Sequence, residues 1–234
     1  MDALVNSSLL IVHRLKKSID CQLSVVSCCQ RRRGFTIIEL LVVISLLGIT
    51  TTLVSAAYLS FERRERVKTA ALDLKSNLRF AQNKALTGDK GIPGSGEECA
   101  YGNTLVGWFV RLDTTGSSYE IVGTCQSSPG AETEFFRNTV RLPKGVSLTQ
   151  ISYAGASQPN LSLSGVNILF RPIDRGVYSF YPSPTPPFIN ADGNLNGLIE
   201  PVSSQESVRL TLNGFDTTYE VNIFTSGEIN EKKL

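Results

Sequence analysis

Histidine is almost absent from this 234-residue chain, and its absence limits the available chemistry. The only histidine is His13, so later residues offer no imidazole for a Ser-His or Cys-His pair or a histidine metal site. The strings G-x-S-x-G, G-x-x-x-x-G-K-[ST] and G-x-G-x-x-G are also missing. Carboxylate pairs such as Glu132 and Glu134 could serve a glycosidase, but such acids are ordinary on an exposed strand face. The sequence therefore predicts a protein that is not an enzyme.

Charge is scarce in one long stretch, residues 35–61, where Glu39 is the only charged residue. This run of about 27 residues exceeds the roughly 20 that a helix needs to cross a bilayer. Basic residues precede it, at Arg14, Lys16, Lys17 and Arg31–Arg33. By the positive-inside rule they keep residues 1–34 in the cytoplasm and lead to export of the chain that follows. A single-pass membrane protein with an exported carboxyl-terminal part is predicted.

The residues around Glu39 read RRRGFTIIELLVVISLLGI, from Arg31 to Ile49. A charged side chain near the start of a membrane helix costs at least a few kcal/mol, so it needs a partner. This string resembles the cleavage and methylation signal of type IV prepilins and type II secretion pseudopilins. The resemblance implies that a prepilin peptidase cuts after Gly34, that Phe35 becomes a methylated amino terminus, and that Glu39 holds the place of the family's carboxylate.

Helix geometry gives a reason for the spacing of Phe35 and Glu39. Residues four apart lie on one face of a helix. In lipid, the Glu39 carboxylate can therefore neutralise the amino-terminal ammonium of Phe35 on a neighbouring subunit. We expect this pair to set subunit register, and the implied partners are other pilin or pseudopilin subunits, membrane lipid and an inner-membrane assembly platform. The alternative is an ordinary membrane anchor that happens to carry a glutamate.

Cleavage after Gly34 would divide the chain into four parts. Residues 1–34 form a cytoplasmic leader that is removed, 35–61 the transmembrane and assembly half of a helix, 62–88 its amphipathic half, and 89–234 an exported, β-rich head. Loss of the leader leaves 17 basic against 19 acidic residues. The mature chain is therefore slightly acidic, although the whole chain carries a net charge of +2.

The cysteines lie on both sides of the expected cut. Cys21, Cys28 and Cys29 are in the leader, facing a reducing cytoplasm. Cys99 and Cys125 are in the exported part, where disulfides persist. A bridge between them would close a loop of about 26 residues and stabilise the head by ~3 kcal/mol. We therefore predict a Cys99–Cys125 disulfide, and the alternative is two buried free thiols.

Helical periodicity continues beyond the apolar run. The sequence ERRERVK, residues 62–68, marks the boundary with water. A narrow apolar stripe follows at spacings of three and four, formed by Val67, Ala71, Leu74, Leu78, Ala81 and Ala85. Because Gly88 is a stop signal, one helix from Thr36 to Thr87 is predicted. Many major pilins carry a proline where this chain has Ala56, so no sharp kink is expected and a minor subunit is favoured.

From Thr104 onward, short runs rich in Val, Ile, Tyr and Phe alternate with turn residues, a pattern typical of β-strands. Four hairpins are predicted: Leu105–Leu112 with Tyr119–Thr124, Phe135–Leu142 with Val146–Ile151, Val166–Phe170 with Val177–Tyr181, and Val208–Leu212 with Tyr219–Phe224. Their strands would form two antiparallel sheets against the helix. The predicted fold class is α+β, a long amino-terminal helix packed on a carboxyl-terminal antiparallel β-sheet head, as in pilins.

The paired sheets, the segment FRPIDRG and the closing YEVNIFTSGEI resemble the heads of GspH/FimT-type minor pseudopilins. Some members bind DNA through a basic motif after a late glycine, but Gly227 is followed here by Glu228, Ile229 and Asn230. The chain after Lys90 has 9 basic and 14 acidic residues, which on average repel phosphates. DNA binding by this subunit alone is not expected, and we interpret Arg171, Arg175 and Arg209 as solvated surface charges.

One loop contains the string D-x-N-x-N-G, the first half of a calcium loop, at Asp192, Asn194, Asn196 and Gly197. The twelfth position is Ser203 rather than a bidentate glutamate, although Glu200 could supply a second carboxylate. Asp-Gly and Asn-Gly are also plain turn formers. The pattern leaves a calcium site and a bare turn open, with the turn favoured, and no other cofactor is predicted.

Together these features predict a non-catalytic structural subunit, a minor pilin or pseudopilin of a type IV pilus or a type II secretion pseudopilus. Alternatives are a major pilin and an adhesive or competence (DNA-uptake) tip subunit. A membrane-anchored β-domain receptor or enzyme is the alternative from another class. The expected location is the cell membrane before assembly, and an extracellular or periplasmic filament afterwards.

Overall fold

The computed structural model describes residues 34–128, 131–154, 159–172, 176–182, 187–192, 194–199 and 207–234. Some predictions concern residues outside these ranges, namely the leader residues 1–33 with His13 and three cysteines, and also Arg175, Glu200 and Ser203. The chain divides into two compact units, Met1–Val54 and Ser55–Leu234. The described residues form one helix, α1 (Ile37–Leu86), and ten strands.

Helix α1 begins after Thr36, which serves as its N-cap. The Glu39 backbone N–H donates to Thr36 Oγ1 at 3.2 Å, and the Leu40 N–H donates to the Thr36 carbonyl at 3.1 Å. A threonine in this position satisfies one of the donors that a helix start leaves without a partner. Glu39 lies in the first turn, where a carboxylate meets the positive end of the helix dipole. The order T-x-x-E also matches the sequence of a capping box, and the Thr36 cap explains why the helix starts at Ile37.

The first part of α1 is apolar and exposed on every side. Between Ile37 and Val54 the large apolar side chains range from 44% exposed at Val43 to 85% at Ile37. An 18-residue window has a mean hydropathy of 2.4, and none of it is buried. Among the described residues, α1 is the only helix long and apolar enough to cross a membrane, by length and composition.

The later part of α1 buries a narrow stripe against the β-strands. Every residue of the predicted stripe is buried, and Ala70 joins it. Three polar contacts run beside the stripe: an ion pair between Lys75 and Glu231, a bond from Arg79 Nη2 to the Ile229 carbonyl at 3.4 Å, and one from Gln82 Nε2 to the Gly227 carbonyl at 3.1 Å. The helix is therefore held by apolar packing and by polar contacts to the last strand and to the turn before it.

Helix α1 ends at Leu86, one residue before the predicted end at Thr87, and Gly88 is the stop residue that the sequence predicts. The Gly88 N–H donates to the Ala85 carbonyl and the Asp89 N–H to the Lys84 carbonyl, both at 3.0 Å. This is the Schellman pattern, which requires a left-handed residue after the helix. Gly88 supplies it with φ +65°, a conformation that costs glycine little because it has no Cβ.

The strands form two five-stranded antiparallel sheets. In spatial order, sheet A consists of β3 (Ala131–Arg141), β2 (Ser118–Ser128), β1 (Thr104–Asp113), β6 (Gly165–Phe170) and β7 (Val177–Phe180). Sheet B consists of β10 (Ile229–Lys233), β9 (Thr217–Phe224), β8 (Ser207–Gly214), β4 (Ser147–Ala154) and β5 (Pro159–Leu163). The predicted fold class is confirmed, an α+β, pilin-like arrangement of a long helix followed by two antiparallel sheets.

Three of the four predicted hairpins are confirmed, and one is wrong. β1 pairs with β2, β6 with β7, and β8 with β9. The predicted partners around PKG belong to different sheets, since β3 pairs with β2 whereas β4 pairs with β8 and β5. The tight turn is present, with the Val146 N–H bonded to the Pro143 carbonyl at 3.0 Å, but it carries the chain from sheet A to sheet B.

Both sheets share one core with the helix. Trp108 of β1, Leu210 of β8 and Leu78 of α1 belong to the same cluster of buried side chains. The Trp108 indole Nε1 donates to the Asp89 carbonyl at 2.8 Å, and its ring meets Phe135 edge-on at 5.4 Å between centroids. A buried tryptophan thus gains both apolar packing and a partner for its N–H.

A second, smaller cluster lies on the other face of sheet A. Because side chains alternate along a strand, Phe109 points away from the core that holds Trp108. The Phe188 ring packs between Phe109 and Phe180, with centroids at 4.9 Å and 4.8 Å. The chain around Phe188 therefore covers part of the outer face of sheet A.

Candidate processing and assembly site

Gly34 and Phe35 precede α1 as exposed, non-helical residues. Phe35 is 76% exposed, and a Cβ added to Gly34 would meet nothing within 4 Å. Because the helix starts only after Thr36, the Gly34–Phe35 peptide bond lies outside the helical hydrogen bonds. A peptidase can reach such a bond without unwinding a helix. Among the described residues, none packs closely enough on position 34 to require glycine there.

Glu39 lies in the first turn of α1, exposed, four residues after Phe35. The cap uses its backbone N–H and leaves the carboxylate for a partner. A cut after Gly34 would place a new ammonium group at Phe35. The ammonium group of one chain can then form an ion pair with the Glu39 carboxylate of another chain if the two helices start near each other. This is the ion pair that the sequence predicts.

Polar side chains in the apolar part of α1 bond to their own helix. The hydroxyls of Ser45, Thr50, Thr51 and Thr52 donate to carbonyls three or four residues earlier, at 2.8 to 3.1 Å. In a bilayer, polar groups have no water and must be satisfied within the protein. Because these hydroxyls are already hydrogen-bonded within the helix, the segment is compatible with a lipid bilayer.

The structure joins Cys99 and Cys125 in a disulfide, with their Cα atoms 5.8 Å apart. Cys99 lies in the loop between α1 and β1, and its N–H donates to the Lys90 carbonyl at 2.8 Å. Cys125 lies on β2 and is fully buried. The bridge therefore fastens the loop that follows the helix to strand β2 of sheet A.

The same loop is tied to the end of α1 by charge. Lys84 Nζ lies 2.6 Å from Asp89 Oδ2. The hydrogen bond from Lys84 lowers the pKa of the Asp89 carboxyl, assisted by the Gly91 N–H and opposed by burial. Lys84, Asp89 and Trp108 thus fix how the chain leaves the helix and enters β1.

The predicted calcium loop is closed by hydrogen bonds from Asn190, a residue that the sequence analysis did not single out. Asn190 Oδ1 accepts the N–H groups of Asp192 at 3.0 Å and Asn194 at 2.9 Å. Side-chain bonds of this type form turns without a metal. Asp192, Asn194 and Asn196 are exposed, while Glu200 lies outside the described residues. Within the described parts of the chain no three His, Cys, Asp or Glu side chains are grouped to hold a metal ion, and the calcium site stays a prediction.

Glu134 belongs to an ionic network on the outer face of sheet A. Arg111 bridges Glu120 and Glu134, each at 2.8 Å, and Arg137 forms a second ion pair with Glu134. Burial alone would raise the pKa of the Glu134 carboxyl, but hydrogen bonds and charge from Arg137 and Arg111 lower it on balance. Four side chains from three neighbouring strands therefore neutralise one another.

Glu132 has a different role, because it holds the chain that covers sheet A. Its Oε1 accepts the Ile189 N–H at 2.7 Å, next to the buried Phe188 ring. Burial raises the pKa of the Glu132 carboxyl despite these backbone donors. The expectation that Glu132 and Glu134 are ordinary exposed acids was wrong, since both are half-buried and engaged. Their spacing put them on one strand face, but nothing in the sequence indicated the segment that packs over that face.

Two of the arginines that we interpreted as solvated are half-buried. The Arg171 guanidinium stacks on the Tyr178 ring at 5.8 Å. Arg209 lines an open groove of about 460 Å³ on sheet B with Glu220, Asn222 and Lys232. A groove lined by both signs of charge offers no uniform positive surface to a phosphate backbone.

One family of known proteins matches part of the chain. Residues 29–55 match the family described as the prokaryotic N-terminal methylation motif, and this range contains Gly34, Phe35 and Glu39. No curated protein and no solved structure matches the chain significantly. The motif supports a type IV pilin or pseudopilin, and it implies processing by a prepilin peptidase and assembly with other pilin subunits. Residues 29–55 thus carry a type IV prepilin-like signal.

Proposed function

We propose that this chain is a non-catalytic minor pilin or pseudopilin, a structural subunit of a type IV pilus or type II secretion pseudopilus. The match at residues 29–55 carries the proposal, because it contains the Gly34–Phe35 bond, exposed before the helix, and a carboxylate in the first turn of that helix. The absence of proline from α1 and the head's resemblance to GspH/FimT-type subunits favour a minor role.

The precursor waits in the membrane with residues 1–34 in the cytoplasm and the head exported. The peptidase cuts after Gly34, and Phe35 is then methylated. The apolar side chains from Phe35 to Phe61 support this, since water is a poor environment for so many exposed apolar groups. Lipid covers them before assembly.

In the filament, helices of neighbouring subunits replace lipid around α1. The assembly platform extracts the subunit, and Glu39 of one chain neutralises the amino terminus of Phe35 on the next. Because one charge pair has a single best position along the helix, it fixes the axial register that apolar packing alone leaves loose. The β-rich head then faces outward and primes or caps the filament.

Catalysis is not part of the proposal. The described residues of the head contain no imidazole, and its half-buried carboxylates Glu132 and Glu134 are engaged with Ile189 and with Arg111 and Arg137. DNA binding by this subunit alone is not proposed either, because acidic residues outnumber basic ones after Lys90.

Intact-mass analysis of membrane-extracted protein, produced with and without a prepilin peptidase, tests this function. With the peptidase we expect a chain that begins at Phe35 and carries one added methyl group. Gly34→Ala should leave the leader attached, whereas Gly48→Ala, a matched change where space is also open, should be processed normally. Recovery of wild-type protein with residues before Phe35 in the presence of active peptidase would refute the proposal.

A further inference from the structure

The turn between β8 and β9 holds a bulky residue in a strained conformation. Phe215 and Asp216 are its two central residues, and both have positive φ, 51° and 62°. Turns of this kind favour asparagine and glycine, and a bulky residue at positive φ is an outlier. Such strain persists only where the surroundings enforce it, and it is concentrated at functional positions.

Two other parts of the head hold Phe215 in place. A Cβ added to Gly145, in the turn between the sheets, would lie 2.2 Å from Phe215 Cζ, so the ring rests directly on that glycine. The Arg63 guanidinium of α1 stacks on the ring at 5.5 Å. Three elements therefore meet at one aromatic side chain: helix α1, the Pro143–Val146 turn and the β8–β9 turn.

This meeting point lies close to the end of the apolar stretch of α1. The last large apolar side chains exposed there are Tyr58, Leu59 and Phe61, at 64%, 51% and 62% exposure. Arg63 follows Phe61 by about 3 Å along the helix axis, at 1.5 Å per residue. If the apolar stretch ends at the surface of a bilayer, Phe215 and the Pro143–Val146 turn lie beside the lipid headgroups.

The helix segment and the turn that meet at Phe215 carry surplus positive charge. Between Glu62 and Lys68 there are four basic and two acidic residues. Glu62 pairs with Arg66 at 2.6 Å and Glu65 with Lys68 at 3.5 Å. Arg63, Arg64 and the tip residue Lys144 are exposed, and Asp216 is the one acid at the turn itself. We call Arg63, Arg64, Pro143, Lys144 and Phe215 the boundary surface.

We propose that the boundary surface docks on anionic headgroups of the membrane leaflet from which α1 emerges, and so holds the head against the bilayer before assembly. This inference rests on the proposed membrane anchoring by α1. Phe215 is half-buried against the core of the head, and the long basic side chains beside it can reach lipid headgroups while their stems cover apolar surface. A second copy of this surface is a poor partner because it would bring like charges together. Each basic residue near an anionic surface should favour docking about fivefold.

Hydrogen exchange of the full chain in lipid nanodiscs tests the docking. One set of discs contains phosphatidylcholine alone, and the other a mixture of phosphatidylcholine and phosphatidylglycerol. We expect backbone amides of residues 141–146 and 213–217 to exchange more slowly in the anionic discs. Because salt at about 1 M shortens the screening length to about 3 Å, it should remove the difference.

Charge reversal supplies matched variants. Lys144→Glu should abolish the lipid-dependent protection, whereas Lys144→Arg should retain it. Arg171→Glu makes the same charge change at another site, just after β6, where Arg171 stacks on Tyr178. This variant should keep the slow hydrogen exchange of the two turns. Slow exchange that is equal in both kinds of disc, or equal in Lys144→Glu and wild type, would overturn the inference.

Flotation with lipid after a carbonate wash separates this inference from the anchoring on which it rests. A chain that floats but shows no lipid-dependent protection refutes the docking alone. A chain that fails to float refutes anchoring by α1, and the docking falls with it.

Discussion

Glu132 and Glu134 stand two residues apart on β3, yet the fold shifts the pKa values of their carboxyl groups in opposite directions. Burial raises the pKa of Glu132, which accepts backbone N–H groups of the covering segment. Burial also acts on Glu134, but the two arginines beside it lower its pKa on balance. Neighbouring acids on one strand therefore make opposite contributions to how the stability of the head depends on pH.

Glu132→Gln should stabilise the head at neutral pH and not in acid. The pKa of the Glu132 carboxyl is higher in the folded head than in the unfolded chain. Such a group stabilises the folded state at a pH below its unfolded-state pKa, and this stabilisation is lost as the pH rises through its folded-state pKa. Glutamine keeps an oxygen for the Ile189 N–H but carries no charge to bury. Thermal unfolding of the full chain in detergent, followed from acid to neutral pH, should show the melting temperature of the variant rising relative to wild type. A pH-independent difference would contradict this assignment.

Glu134→Gln should show the opposite trend. The pKa of the Glu134 carboxyl is lower in the folded head than in the unfolded chain. Such a group stabilises the folded state at a pH above its unfolded-state pKa, and this stabilisation is lost as the pH falls through its folded-state pKa. Loss of the pairs with Arg111 and Arg137 should cost roughly 1 kcal/mol at neutral pH, because the pairs are partly exposed. The deficit should shrink in acid, when the wild-type carboxyl is protonated. If both variants changed stability with the same pH trend, the two roles would not be distinct.

Glu39→Ala should leave membrane insertion intact while lowering incorporation into filaments. Insertion depends on apolarity, which the change increases, whereas register depends on the charge. Flotation with membranes measures the first property, and co-purification with other filament subunits measures the second.

Thr36→Val is the matched control for that experiment. It removes the hydroxyl that caps the helix at 3.2 Å from the Glu39 N–H but keeps the carboxylate. Loss of a cap costs about 1 kcal/mol, so local fraying is expected with assembly preserved. Equal assembly defects in both variants would indicate that the start of the helix, and not the charge of Glu39, is what assembly needs.

Removing the disulfide should destabilise the head without changing its fold. The bridge closes a 26-residue separation, and its loss in Cys99→Ala with Cys125→Ala should lower the free energy of unfolding by about 3 kcal/mol. Peptide mapping without reductant should recover Cys99 and Cys125 as one linked peptide from protein made in an oxidising compartment. Two free thiols in such protein would rule out the bridge.

Calcium binding at Asp192, if it occurs, should raise the melting temperature of the full chain slightly at millimolar concentration, by mass action. Asp192→Ala should remove that shift without unfolding the head, because the residue is exposed and the turn is closed by Asn190 through the backbone N–H groups. Asn190→Ala is the contrasting variant, which should loosen the turn with or without calcium. An unchanged wild-type melting temperature, or an equal shift in Asp192→Ala, would leave this loop as a plain turn.

The helix and three hairpins could be predicted because their signals are local. The apolar stripe, the stop at Gly88 and three hairpin turns each lie within a few residues of the structure they determine. The Pro143–Val146 turn was misassigned because a tight turn fixes the reversal of the chain and not the sheet that the next strand joins. β5 and β10 were missed because they read PNLSL and INEKK, and these mostly polar residues carry little strand signal.

The candidate site divides in the same way. Gly34, Phe35 and Glu39 are recognisable from a contiguous string. The partners of Glu132 and Phe215 are not, because Ile189 and Arg63 lie 57 and 152 positions away in the sequence and only the folded chain brings them together.

The three contacts that join α1 to β10 and to the turn before it have a mechanical consequence. The contacts run in opposite chain directions: Lys75, Arg79 and Gln82 follow one another along the helix, and their partners are Glu231 and Ile229 on β10 and Gly227 in the turn before it. A pull along the helix axis, such as extraction from a membrane would apply, therefore loads all three contacts in shear at the same moment. Under such a force the three contacts must break together, whereas a force that pulls the strand away from one end would break them one at a time. The head can thus follow its helix under tension as a single body.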